Sequence, residues 1–191
     1  MGLRGGNMKP ETKKELLEWI KDLLVAVVVA VLILQIIQPT IVCEHSMENT
    51  FHENDYLFVY KLAYKGKAEP QYGDVVIFKS ELTLSNGVKK NLIKRVIGTP
   101  GDTLAVKNGM VYLNGEALNE PYTKDGFTNG DIDEFTIPEG KLFCMGDNRL
   151  GSSDSRDSRI GMVDESTLMG KAVFRLFPLK QIGVIKNEYK K

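Results

Sequence analysis

A mostly β domain behind a single membrane-spanning helix is the fold class that this sequence of 191 residues predicts. Three observations predict it. Residues 23–37 read LLVAVVVAVLILQII, interrupted only by Gln35. After residue 40 the helical period vanishes, and short runs rich in β-branched and aromatic residues recur between turn signals. The net charge is zero, so no basic field points to nucleic acid as a partner.

With Trp19, Ile20, Ile41 and Val42 added, the apolar run reaches roughly 20 residues, the length a bilayer core demands. It is apolar on every face, whereas a core helix of a soluble protein keeps a polar stripe. The segment that follows, QIIQPTIVC, has neither the small-x-small pattern of a cleaved signal peptide nor the small residues of a lipoprotein signal. An uncleaved anchor results, and Pro39 ends its helix. Arg4, Lys9, Lys13, Lys14 and Lys21 precede the span, which places the N-terminus in the cytoplasm and the rest outside a cell membrane. The domain boundaries are therefore a cytoplasmic segment 1–22, an anchor 23–40 and an extracytoplasmic domain 41–191.

Strand runs fall at 56–60, 74–78, 91–97, 103–106, 110–113, 142–145 and 171–176. Asn108-Gly109 is a hairpin signal, and Asn114-Gly115 marks the next turn. Residues 114–133 are polar, hold Gly115, Pro121, Gly126 and Gly130, and read as a cap insertion or loop. The later helix is short, near 164–168, and the charged end 186–191 frays.

Three segments carry chemistry. They are Ser46-Met47-Glu48-Asn49-Thr50-Phe51, the run Ile93-Lys94-Arg95-Val96-Ile97-Gly98-Thr99-Pro100-Gly101-Asp102, and Met145-Gly146-Asp147-Asn148-Arg149-Leu150-Gly151-Ser152-Ser153-Asp154-Ser155-Arg156. Strand alternation turns either Lys94 or Arg95 inward among Leu92, Ile93, Val96 and Ile97, and a buried Lys needs a reason. His45 and His52 lie near Ser46, but no acid is evidently placed to orient either. Cys43 and Cys144 allow two readings, a disulfide in an oxidising compartment or two small buried strand residues. Metal-ligand spacing is absent.

These segments, with Tyr72-Gly73-Asp74-Val75-Val76-Ile77-Phe78 between the first two, resemble the type I signal peptidases of bacteria. The resemblance runs from about residue 15 to Phe177, and the single span and short polar excursion look like the Gram-positive form. It implies a β-rich catalytic core with a variable capping insertion. It implies a Ser46 nucleophile and a Lys94 general base, with Ser152 hydrogen-bonding the lysine amine. Asp154 and Arg156 match an ion pair supporting the third segment, and Asp147 the acid at its start. Val42, Phe51, Ile77 and Ile93 match walls of shallow pockets for small substrate side chains. No cofactor is implied. The partners implied are a lipid bilayer and precursor proteins with signal peptides, either broadly or restricted to pilin and other surface-protein precursors. The alternative is a catalytically weak relative that binds or chaperones pilin subunits.

The chemistry is intelligible on its own terms. A serine hydroxyl needs a base, and at an ordinary pKa of ~10.4 only about one lysine in a thousand is neutral near pH 7.4. Burial lowers that pKa by as much as ~3–5, so an apolar strand can supply the base. Two positions depart from the family pattern: Asn49 stands where Pro is usual, and Glu44 where Gly or Ser is usual. An ionised Glu44 cannot donate a hydrogen bond to an oxyanion. It must turn away or pair with a cation, with His45 and Arg95 as possible partners.

Overall fold

The computed structural model describes residues 10–84 and 86–187. Arg4 and Lys9 of the basic flank, and residues 188–191 of the charged end, lie outside the described residues. The chain divides into two units, residues 1–37 and 38–191.

The first unit is one helix, α1, Pro10–Ile36. Proline is tolerated there because the first helical N–H has no partner in any case. At ~1.5 Å per residue the helix is about 40 Å long, more than the ~30 Å of a hydrocarbon core. Every residue from Glu11 to Ile36 is exposed, so no protein face covers the apolar surface. Lipid is the solvent that suits such a helix. Helical geometry stops at Ile36, because the Pro39 ring and its restriction on Gln38 forbid another turn. The chain passes directly into β1, Ile37–Ile41.

The second unit is built from two sheets. The larger contains β1, β2 (Tyr56–Tyr60), β3 (Val75–Thr83), β4 (Lys89–Gly98), β9 (Lys141–Met145), β10 (Val163–Asp164), β11 (Leu168–Phe177) and β12 (Gly183–Val184). Its order is β1-β2-β11-β3-β4-β9-β10, with β12 also paired to β11. The smaller has the order β7-β6-β5-β8, from β5 (Thr103–Lys107), β6 (Met110–Leu113), β7 (Glu116–Ala117) and β8 (Ile132–Thr136). Asn108 and Gly109 both take positive φ, 53° and 80°, as a two-residue hairpin of matching twist requires. Asn114 and Gly115 repeat this between β6 and β7 at 53° and 82°.

Seven runs read from sequence correspond to β2, β3, β4, β5, β6, β9 and β11, several of which extend further than expected. Five short strands escaped: β1, β7, β8, β10 and β12. β7 and the start of β8 fall in the polar stretch 114–133, and pairing to β6 and β5 makes strands of it. The short helix is a 3-10 turn, Glu165–Thr167, capped by the Asp164 side chain.

β4 lies between β3 and β9, and from Leu92 onward both of its faces are covered. On one face Leu92 and Val96 join Val76, Phe78, Leu142, Cys144 and Val163. On the other, Ile93 packs against Val42, Met47, Phe51, Val75 and Ile77. A strand with one solvated face buries one of two neighbours; this strand buries Lys94 and Arg95 together, at 1% and 3% exposure. A third cluster, holding Leu104, Val106, Val111 and Ile137, backs the smaller sheet.

Leu104 is fully buried in that third cluster. Leu104→Ala is expected to cost about 2–5 kcal/mol in urea unfolding. A loss below about 1 kcal/mol, the range of surface substitutions, would mean the smaller sheet is not sealed by this core.

Candidate active site

Ser46, itself buried, sits in a 3-10 turn, His45–Met47, that follows β1. Two bonds from Asn148 hold the turn: its backbone N–H donates to Ser46 O at 3.0 Å and its side-chain amide to His45 O at 3.0 Å. Ser46 is thereby brought to the middle of β4, where Lys94 Nζ lies 2.7 Å from Ser46 Oγ. The same amine donates to Ile93 O at 3.0 Å. Burial pushes the Lys94 pKa down from 10.5 to about 8, against the attraction of Asp154 and Glu44 and with the help of Lys90.

The neighbouring Arg95 has the opposite surroundings. Its Nε and Nη2 donate to the two oxygens of fully buried Asp147 at 2.9 and 2.7 Å, and Nη1 donates to Gly73 O at 2.9 Å. Thr50 Oγ1 adds a bond to Asp147, and the Tyr122 ring lies 4.2 Å from the guanidinium. Two adjacent cations are thus treated differently: one is paired and stays charged, the other has no carboxylate in contact and is pressed towards neutrality.

The segment from Gly146 to Arg156 closes over this pair. Asp154 accepts from Arg156 Nε and Nη2, both at 2.8 Å, and from the Gly146 N–H at 3.0 Å. Burial alone would push the Asp154 carboxyl up. The Arg156 guanidinium, the Gly146 N–H and, more weakly, the nearby Ser152 hydroxyl outweigh it and hold it below the ordinary carboxylate range. A Cβ at Gly146 would run into both Ser152 Oγ and the Ser46 carbonyl. Glycine is required there so that the Ser152 and Ser46 segments can meet.

Ser152 does not bond Lys94. Its Oγ is buried without a hydrogen-bond partner of ordinary geometry, while the amine is engaged by Ser46 and Ile93. Val42, Phe51, Ile77 and Ile93 do come together, but as core: the first three are 2%, 0% and 5% exposed. The open space beside Ser46 is a cleft of about 330 Å³ lined by Cys43, Glu44, Ser46, Lys90, Leu92 and Ser153, among others.

Three further findings concern residues near Ser46. Glu44 does pair with a cation, and the cation is Lys90, not His45 or Arg95. His45 does have an orienting acid: Nδ1 lies 2.6 Å from Glu48 Oε1, and Lys124 holds the other oxygen at 2.6 Å. That imidazole is 62% exposed, and the side-chain partner of Ser46 Oγ is Lys94. Both cysteines are free, Cys43 exposed and Cys144 buried. Lys90, Gly146 and Asn148 were not among the sequence-derived site residues. Gly146 and Asn148 stand inside the Gly-Asp-Asn-Arg run, which was their signal; Lys90 had none beyond its place two alternations before Lys94.

Comparison with known proteins shows the family of this chain. The family model described as signal peptidase, peptidase S26, matches residues 16–177. Signal peptidase I of Bacillus licheniformis is 38% identical over 183 residues, covering 89% of this chain and 93% of that protein. Signal peptidase I S of Bacillus subtilis is 35% identical over 181 residues, 89% of this chain and 94% of that protein. A crystal structure of a signal peptidase I from Enterococcus faecalis, 30% identical, aligns with a TM-score of 0.45 over 56% of this chain and 98% of that one. The family matches define a class, the serine endopeptidases. Within it, the chain belongs to the signal peptidase family, peptidase S26.

The low pKa of Lys94 carries a stability consequence. A group that titrates at about 8 when folded and 10.5 otherwise destabilises the fold by about 3 kcal/mol below pH 8. The unfolded chain binds the extra proton, so this cost disappears as pH rises from about 8 to 10.5. Lys94→Met should therefore gain about 2–3 kcal/mol near pH 7 and little near pH 10, measured by urea unfolding. A variant less stable than its parent near neutrality would mean that the amine is not strained by burial.

Proposed function

We propose that this chain removes signal peptides from exported precursor proteins, with Ser46 as nucleophile and neutral Lys94 as general base. The observation that carries the reading is the 2.7 Å approach of a buried hydroxyl and a buried amine. At a pKa of about 8, roughly a fifth of the lysine is neutral near pH 7.4, against about a thousandth for an exposed one.

In the neutral form the Ser46 hydroxyl donates into the Nζ lone pair, and the proton moves to the amine as Oγ attacks the scissile carbonyl. The ammonium then protonates the leaving amine, which departs as the new N-terminus. A water deprotonated by the same amine releases the signal peptide from Ser46. Ser152 is read as the positioning hydroxyl for this amine; its buried oxygen, held by no hydrogen bond of ordinary geometry, supports that role. The basic residues preceding the apolar run support a cytoplasmic N-terminus and a catalytic domain, residues 41–191, at the outer face of the cell membrane. Anchoring enzyme and precursor in one bilayer raises their effective concentration.

Substrate range is the finer part of the proposal. An ion pair, Glu44–Lys90, lines the cleft beside Ser46. It supports a range narrowed to a subset of precursors, such as pilin and other surface proteins. The alternative, a relative that binds pilin subunits without cutting them, is supported less by an acid beside Ser46 that is paired with Lys90.

The test incubates the full chain in detergent with several exported precursors and reads new N-termini by mass spectrometry. Ser46→Ala should abolish cleavage while leaving the melting temperature intact. Lys94→Arg should fail equally, because a guanidinium does not give up its proton; near-normal rates in that variant would remove lysine as the base.

For the parent enzyme, kcat/KM should climb with pH through about 8, as the folded Lys94 deprotonates. A profile flat from pH 6 to 9 would speak against a lysine base. Ser152→Ala is expected to lower kcat more than it raises KM, whereas loss of Asp154 or Arg156 should lower the melting temperature as well.

A further inference from the structure

Glu44 is the residue that sits worst with the proposed reaction. It lies two residues before Ser46, in extended backbone (φ −137°, ψ 159°), and its carboxylate lines the same cleft. An acid there does harm in two ways. It repels the negative charge that develops on the scissile oxygen, and it favours the protonated, inactive form of Lys94.

The register of β4 shows how this is handled. Residues 90, 92 and 94 share one face of the strand by alternation. Ser46 meets Lys94 at one end of that row, Glu44 meets Lys90 at the other, and buried Leu92 separates them. Two residues on the incoming segment are thus matched to two lysines on β4. Lys89 cannot substitute for Lys90, since it points to the other side and holds Glu81 at 2.8 Å.

We infer that Lys90 is a positioning residue for this reaction: it draws the Glu44 carboxylate to the far end of the row and cancels its charge. The inference rests on the proposed Ser46–Lys94 chemistry. Lys94 faces Asp154 and Cys144 from the segments packed over it, together with Glu44 and Lys90. Asp154 is already bound to Arg156, and the Cys144 thiol is kept protonated by burial. Glu44 is therefore the acid whose influence on the base depends on Lys90. The two act on Lys94 in opposite directions, Glu44 raising its pKa and Lys90 lowering it.

The experiment measures kcat/KM against pH for the full chain in detergent. The probe is a quenched fluorescent peptide spanning a small-x-small junction of a secretory signal peptide. Lys90→Met should lower kcat/KM near pH 7.5 by about tenfold and move the rising limb upward by roughly half to one pH unit. Lys90→Arg, which keeps the charge, should retain most of the rate. Adding Glu44→Gln to Lys90→Met should recover the rate to within about threefold of the parent and bring the limb back, since the offending charge is gone. Glu44→Gln alone should move the limb to lower pH, a readout that survives even if Lys90→Met is poorly folded.

The inference is overturned if the limb stays in place in both single variants. It is equally overturned if the double variant is as impaired as Lys90→Met alone, which would make Lys90 a substrate contact or a structural residue. Failure of the underlying chemistry looks different: Ser46→Ala would still cut the peptide.

Discussion

The burial of an amine on a strand covered on both faces is the constraint around which this molecule is arranged. From Leu92 onward β4 has no solvated side, so its two adjacent cations both enter the interior. A buried charge is tolerated when it is paired and expensive when it is not. Arg95 receives Asp147, Gly73 O, Thr50 and the Tyr122 ring. Lys94 receives a hydroxyl and a carbonyl. Arginine cannot relinquish its proton and so takes the carboxylate; lysine can, and is placed where relinquishing it is favoured. The order Lys-Arg is therefore not interchangeable with Arg-Lys, although composition and charge would be the same.

The segment after β9 converts that constraint into a site. Its two buried acids face in different directions, Asp147 to Arg95 and Asp154 to Arg156. Gly146, just before Asp147, lets the Ser46 turn approach, and Asn148 clamps it. The same segment is tied to the polar excursion: buried Arg149 binds Glu120 through both terminal nitrogens and also Thr128, and Arg156 binds Asn129. Lys124 reaches from the excursion to Glu48 beside the Ser46 turn. Polar residues in 114–133 thus act as braces for the site as well as a solvated surface.

Departures from the family pattern are absorbed locally. Asn49 adopts φ 75°, a left-handed conformation that proline cannot reach and that asparagine tolerates better than most residues. Its side-chain amide donates to Tyr122 O at 3.4 Å, which links the turn to the excursion. Glu44 finds Lys90. Each departure brings its own partner, and the hydroxyl–amine contact stands beside both.

Local pattern alone determined the anchor helix and where it stops, because an all-round apolar run and a proline act through neighbours in sequence. It determined the hairpins at Asn108-Gly109 and Asn114-Gly115 for the same reason, their positive φ values being a property of those two residues. Resemblance to one family, carried by three segments in order, singled out Ser46, Lys94, Asp147, Asp154 and Arg156. The short strands β1, β7, β8, β10 and β12 were illegible, since two to five residues carry no period and exist as strands only through their pairing. Alternation foresaw one inward cation and not two, because covering of the second face is decided by distant segments. The same is true of Glu44, 46 residues away in sequence from its partner Lys90. A charge pair that closes only when two strands meet has no signature along the chain. Packing decided it.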